Sequence, residues 1–237
     1  METTFMDIEK NVAAVRARIA EAAAEVGRDP SGILLVAASK MNDAERVRRA
    51  VSAGVDACGE NRVQEFLEKN AQGAYDGCPV HLIGHLQKNK VKQAVGAFDL
   101  IESVDSEALL RLIGSRAETL GIVQDVLIEL NIADEDSKSG LAPALLPQIL
   151  EAAAELPSIR VRGLMAIPPI STKVGKNRPY FAQMQELFID IRSKKYDNIS
   201  MDFLSMGMSG DFEDAVREGA NMVRVGSAIF GARHYGL

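Results

Sequence analysis

Short apolar runs recur along the chain, each closed by a polar or glycine-bearing turn and followed by an amphipathic stretch. The runs lie at 33–38, 55–58, 80–83, 98–101, 122–130, 161–165, 201–205 and 222–225. Most lack the two-residue alternation of a half-exposed sheet, as parallel strands covered on both faces do. Between them, apolar positions repeat at helical spacing. A leading helix spans 5–27, with Val12, Val15, Ile19 and Ala23 on one face and Gly27 and Pro30 ending it. Asn42 or Asp43 caps a helix reaching about Ala53, and Gly59-Glu60-Asn61 opens another over 62–71. Further helices are expected at 87–95, at 106–119 with Ser103 and Asp105 as caps, and at 144–155, 178–193 and 211–218. Pro168-Pro169 forces a loop, and 226–230 turns out of the last strand.

Eight strands alternating with helices, behind one extra N-terminal helix, predict an α/β fold: a closed (β/α)8 TIM barrel, read as one domain over 1–237. The competitor is an open doubly wound sheet. That fold carries a glycine-rich first turn, whereas the turn here is Ser39-Lys40-Met41-Asn42.

A barrel of this kind places its site at the C-terminal ends of its strands. Those ends collect Lys40, Asn61, His81 with Gly84, Ser103, Asn131 with Ser137 and Lys138, Met165, Ser205 to Ser209, and Arg224 with Gly226 and Ser227. Lys40 closes an apolar strand, and apolar surroundings favour the neutral amine that attacks an aldehyde. Taken alone it reads more readily as a solvated strand end. The loops Met206-Gly207-Met208-Ser209-Gly210 and Val225-Gly226-Ser227 follow strands 7 and 8, where such barrels often bind phosphate. Arg224 sits in the apolar run Met222-Val223-Arg224-Val225 and needs either a ligand or a carboxylate such as Asp202 or Glu60. An imine-forming lysine, a phosphate cradle and an arginine together describe a site for pyridoxal 5′-phosphate. Lys40 would form the Schiff base, Ser209, Gly226 and Ser227 would hold the phosphate, and Arg224 would bond the pyridine nitrogen. Asn61, Met165 and Ser205 would form the pocket wall, with His81 supporting it from behind.

Composition narrows the partners. The 237 residues are 47% apolar and 25% charged, with net charge −6. This acidic balance argues against nucleic acid as the main partner. No apolar run approaches the roughly 20 residues of a membrane span, and the N-terminus lacks a signal-sequence pattern. Cys58 and Cys78 are expected as reduced thiols in a cytoplasmic protein. The three histidines lack metal-ligand spacing. The run Lys88-Asn89-Lys90-Val91-Lys92 reads either as a solvated helix face or as a docking patch for an acidic partner or a second phosphate-bearing ligand.

Seven motifs extend the picture. They are Val36-Ala37-Ala38-Ser39-Lys40, Gly59-Glu60-Asn61-Arg62-Val63-Gln64-Glu65, His81-Leu82-Ile83-Gly84-His85-Leu86-Gln87-Lys88-Asn89-Lys90, Ser137-Lys138-Ser139-Gly140, Arg162-Gly163-Leu164-Met165, Leu204-Ser205-Met206-Gly207-Met208-Ser209, and Val223-Arg224-Val225-Gly226-Ser227-Ala228-Ile229-Phe230-Gly231. In this order, over nearly the whole chain, they resemble the YggS/PROSC family of pyridoxal phosphate-binding proteins, also called pyridoxal phosphate homeostasis proteins. The resemblance implies a barrel like the N-terminal domain of alanine racemase, with the cofactor on Lys40. Ser227 stands where the family often has Thr, and the hydroxyl is kept. His85 occupies a variable position.

Two functions of different class follow. One is a carrier that buffers pyridoxal phosphate and delivers it to apoenzymes. The other is an amino-acid racemase or decarboxylase. Racemisation needs a base on each face of the cofactor, and in related two-domain racemases the second is a tyrosine from a β-domain that completes the site across a dimer. The chain ends at Leu237, directly after the barrel, and Tyr75, Tyr180, Tyr196 and Tyr235 all fall away from strand ends. The expectation is therefore a monomeric carrier. A third reading keeps only a phosphate-binding barrel with Lys40 as an electrostatic anchor.

Overall fold

Alternation within each strand decides what fills the middle of the molecule. The computed structural model describes residues 7–133, 139–169, 171, 173–194 and 196–231. Ser137, Lys138, His234 and Tyr235 lie outside them. In chain order come α1 (Ile8–Glu25), β1 (Leu34–Ala38), α2 (Ala44–Ser52), β2 (Ala57–Glu60), α3 (Val63–Asn70) and β3 (Val80–Leu82). Next are α4 (Val91–Ala94), β4 (Leu100–Val104), α5 (Glu107–Leu120), β5 (Gln124–Leu130), α6 (Leu146–Ala154) and β6 (Ile159–Ala166). The last are α7 (Arg178–Ser193), β7 (Ile199–Ser205), α8 (Phe212–Arg217), β8 (Met222–Val225) and α9 (Ser227–Phe230). All neighbouring strands pair in parallel, and β8 returns to β1, closing the barrel.

Inside the barrel Val36, Ala57, Leu100, Leu127, Met165 and Met222 pack together as an apolar plug. A larger apolar layer, including Leu35, Leu82, Ile113 and Val223, lies between strands and helices. Strand periodicity then places a second inward layer two residues on. Leu100 is followed by Glu102, Leu127 by Glu129, and Met222 by Arg224, and all three polar residues are buried. The barrel is thus dry at one end and charged beneath its mouth.

The expected alternation of eight strands with helices is present, and several boundaries are corrected. β2 includes Gly59 and Glu60, which were expected to open a helix, and β4 lies at Leu100–Val104 rather than 98–101. In both, a carboxylate inside the strand imitates a strand end, and each is buried because it has partners. Ser103 is inside β4. The cap of α5 is Ser106, and Asp105 instead pairs with His85 at 3.0 Å. The expected helix over 87–95 divides into one 3-10 turn, Lys88–Lys90, and the short α4. Helix α1 covers the outside of α8 and α9. Asn11 Nδ2 donates to the Ile229 carbonyl at 2.8 Å, which fixes the turn leaving β8. Among the described residues no helix is long and apolar enough to cross a membrane.

Candidate functional site

A cavity of about 220 Å³ opens at the C-terminal ends of the strands. Its walls bring together Lys40, Asn61, Ser209, Arg224, Gly226 and Ser227, residues separated by up to 187 positions in sequence (227 − 40). Ala38, Ile83, Ile167, Met208 and Gly210 complete it. The apolar members follow from strand periodicity: Ala38 and Ile83 continue the inward faces of β1 and β3.

Ser209, Gly226 and Ser227 form one corner. Ser209 Oγ accepts from the backbone N–H of Gly226 at 3.1 Å and of Ala228 at 3.2 Å. Two backbone donors thus converge on one oxygen, and the hydroxyl hydrogen remains for an anion. A Cβ at Gly226 would lie 3.3 Å from the Ala38 carbonyl oxygen, so glycine keeps this corner open. At Asn61, Oδ1 is buried without a partner. Gly84 packs on the same residue: a Cβ there would approach the Asn61 carbonyl oxygen to 2.5 Å.

Arg224 is 3% exposed. Its carboxylate partner is neither Asp202 nor Glu60 but Glu102, at 3.7 Å. Nη1 donates to Ser205 Oγ at 2.5 Å, and Nη2 donates to the Ala166 carbonyl at 2.9 Å. Ser205 Oγ donates in turn to Glu102 Oε2 at 2.6 Å, and His81 Nδ1 lies 2.8 Å from Glu102 Oε1. Burial alone would raise the Glu102 carboxyl. The His81 bond, the Arg224 charge and the Ser205 bond outweigh it and hold the group below the ordinary carboxylate range. Burial lowers the Arg224 guanidinium, opposed by Glu102 and Glu129.

Ser205 therefore stands beneath the cavity, not in its wall. Met165, expected in the wall, belongs to the apolar plug below. His81 supports the wall from behind through Glu102. Glu102 carries no motif in the sequence, because a carboxylate after an apolar run reads as the end of a strand. The available signal was period: Leu100 and Glu102 share a face, so the carboxylate had to enter the barrel. The basic run lies outside the cavity. Lys90 and Arg62 line an adjoining cavity of about 500 Å³ that shares Asn61.

Glu129 is the other buried carboxyl of the mouth. Burial raises it, partly countered by Ser139 Oγ donating at 3.2 Å. A carboxyl raised in the folded state contributes stability below its unfolded value of about 4.3, and loses that contribution as pH rises through the folded value. Glu129→Gln is expected to match wild type in urea unfolding near pH 4 and to be the more stable protein at pH 7. Equal stabilities at pH 7 would contradict this assignment.

The residues present fit pyridoxal phosphate. An amine, a buried acceptor awaiting a donor, a charged guanidinium and a serine hydroxyl whose hydrogen two backbone donors leave for an anion surround one small cavity.

Comparison with known proteins adds the family context. Residues 10–234 match the family model "Alanine racemase, N-terminal domain". The pyridoxal phosphate homeostasis protein of Pseudomonas aeruginosa is 42% identical over 229 residues, covering 97% of this chain and 97% of the relative. PipY of Synechococcus elongatus, solved with pyridoxal phosphate bound, superposes with a TM-score of 0.82 at 33% identity, covering 95% of this chain and all of PipY. An alanine racemase of Clostridium difficile shares the fold, with a TM-score of 0.69 at 16% identity. There the match covers 94% of this chain and 60% of the racemase.

Proposed function

The chain belongs to the alanine racemase N-terminal-domain family and, within it, to the pyridoxal phosphate homeostasis proteins, and on that premise we propose that it binds pyridoxal phosphate covalently through Lys40 and acts as a carrier of the cofactor. The observation that carries this reading is the single cavity joining Lys40, Asn61, Arg224 and the Ser209–Gly226–Ser227 corner. When bound, pyridoxal phosphate supplies an aldehyde that condenses with an amine, with loss of water. Lys40 provides the amine. The phosphate corner would hold the anion through the hydroxyls of Ser209 and Ser227, and Asn61 forms part of the wall. Arg224, ordinarily charged throughout the working pH range, would bond the ring nitrogen and keep it unprotonated, which would weaken the ring as an electron sink. These assignments describe a holder of the cofactor acting as one domain.

The choice of carrier over enzyme is supported by the lining itself. Among the described residues, Lys40 and Arg224 are the titratable ones that line the cavity, which gives one proton-transferring base where racemisation needs two. Tyr75 is buried away from the cavity and donates to Glu60 at 2.8 Å. Burial and the Glu60 carboxylate push its phenol up, further from service as a base. Tyr180 and Tyr196 lie in α7 and just before β7. The two cysteines are free thiols with Sγ atoms 3.9 Å apart.

The test is direct. Purified protein mixed with pyridoxal phosphate should become yellow, and borohydride reduction followed by peptide mapping should place a pyridoxyl group on Lys40. Absence of the adduct would end the covalent reading. Turnover of any L- or D-amino acid at ordinary enzyme rates would end the carrier reading. The phosphate corner has its own test. Ser209→Ala should weaken pyridoxal phosphate about tenfold, the effect of losing a charge-assisted hydrogen bond of about 1.5 kcal/mol. Pyridoxal, which lacks the phosphate, should bind the variant and wild type alike. An equal loss for both ligands would remove Ser209 from phosphate binding.

A further inference from the structure

The backbone on either side of Lys40 is held by charged side chains that the proposed binding site does not use. Ser39 and Met41 flank the lysine. Met41 has φ 62°, the only positive value at a non-glycine among the described residues. An unbranched side chain in the left-handed region is uncommon and persists only where its surroundings enforce it. Met41 is 62% exposed, so packing of its side chain does not enforce it.

Hydrogen bonds do. The Met41 N–H donates to Glu65 Oε1. Glu65 also accepts from Lys69 Nζ at 2.6 Å, one turn along α3. Lys69 is 6% exposed and spends all three ammonium hydrogens here: on Glu65, on Glu60 Oε1 at 2.8 Å and on the Ser39 carbonyl at 2.9 Å. Glu60 is fully buried and also accepts from Ser39 Oγ at 2.7 Å. Asn42 Nδ2 donates to the Lys40 carbonyl at 3.1 Å. The carbonyls of Ser39 and Lys40 and the N–H of Met41 are therefore all anchored. Buried ion pairs are weak evidence for stability, because apolar residues of similar volume pack as well. What an apolar cluster could not do is grip a carbonyl on one side of Lys40 and an N–H on the other.

We propose that Glu65, Lys69 and Glu60 are positioning residues: a latch that fixes the left-handed turn after Lys40 and so aims its amine into the cavity. The inference rests on the proposed covalent role of Lys40. In that step the neutral amine adds to the aldehyde carbon, a C=N bond forms, and the aldehyde oxygen leaves as water. The latch contributes by lowering the conformational cost of bringing the amine into reach.

The test separates aim from pocket shape. Apoprotein is mixed with pyridoxal phosphate, and the rate of the visible absorbance of the lysine adduct is followed. Glu65→Ala should slow that rate about tenfold. Glu65→Gln, which keeps an acceptor oxygen for the Met41 N–H, should stay within about threefold of wild type. The tenfold figure corresponds to the loss of one hydrogen bond of about 1.4 kcal/mol. In a Lys40→Ala background, Glu65→Ala should leave non-covalent affinity for pyridoxal phosphate within twofold. A wild-type rate in Glu65→Ala overturns the latch, as does an equal affinity loss in the Lys40→Ala background, which would make the network a shaper of the pocket. If wild type itself forms no adduct on Lys40, the covalent reading falls first, and the latch with it. Should Glu65→Ala fail to fold, Glu65→Leu carries the same arms.

Discussion

Lys40→Ala is expected to abolish the borohydride-reducible adduct completely while leaving a protein that still binds pyridoxal phosphate. The two parts of that result come from different walls of the cavity. The amine sits just beyond β1, whereas the phosphate corner and Arg224 come from β8 and the loops after β7 and β8. Equilibrium dialysis should therefore find residual, reversible binding, competed by inorganic phosphate. A variant that retained a reducible adduct would move the covalent role to another lysine. A variant that lost all binding would show that the phosphate corner does not act independently.

Lys40 and Arg224 were legible in the sequence for a simple reason. A cation closing or interrupting an apolar strand is improbable unless something requires it, and barrel topology carries both strand ends to one mouth. The glycine and serine loops were legible for the same topological reason. The layer beneath was not. Glu102 and Glu60 are carboxylates inside strands, and a local reading treats such residues as the place where a strand stops. Only the tertiary structure supplies the partners that make their burial tolerable: His81, Ser205 and Arg224 for Glu102, and Lys69, Tyr75 and Ser39 for Glu60. Ser205 and Met165 were misplaced by one layer, because a strand-end position shows that a residue is near the mouth without showing whether it faces the cavity or the plug. The positive φ of Met41 has no sequence signal at all. Methionine carries no preference for that conformation, and its cause, Glu65, lies on another helix.

Glu102→Ala should be the most destabilising single change among the polar residues discussed, at about 3–5 kcal/mol, the usual cost of removing one partner from a buried ion pair. Glu102 is fully buried, and one carboxylate serves three groups. Without it the Arg224 charge loses its ion-pair partner at 3% exposure, and His81 and Ser205 lose their acceptor. The cost should fall mainly on Arg224, and this can be separated from the lost hydrogen bonds. Replacing both partners, in Glu102→Leu/Arg224→Met, removes the buried charge altogether. Exchanges of a buried pair for apolar residues of similar volume are often neutral or stabilising. The double variant is therefore expected to recover most of the stability lost by Glu102→Ala in urea unfolding. It should not recover cofactor binding, because Arg224 is the group assigned to the ring nitrogen. If the double variant were as unstable as Glu102→Ala, the hydrogen bonds of His81 and Ser205, not charge balance, would dominate this layer. If it bound pyridoxal phosphate like wild type, Arg224 would be part of the barrel's electrostatics alone. Recovery of stability without recovery of binding would mean that the fold could do without this buried pair and that the cofactor could not.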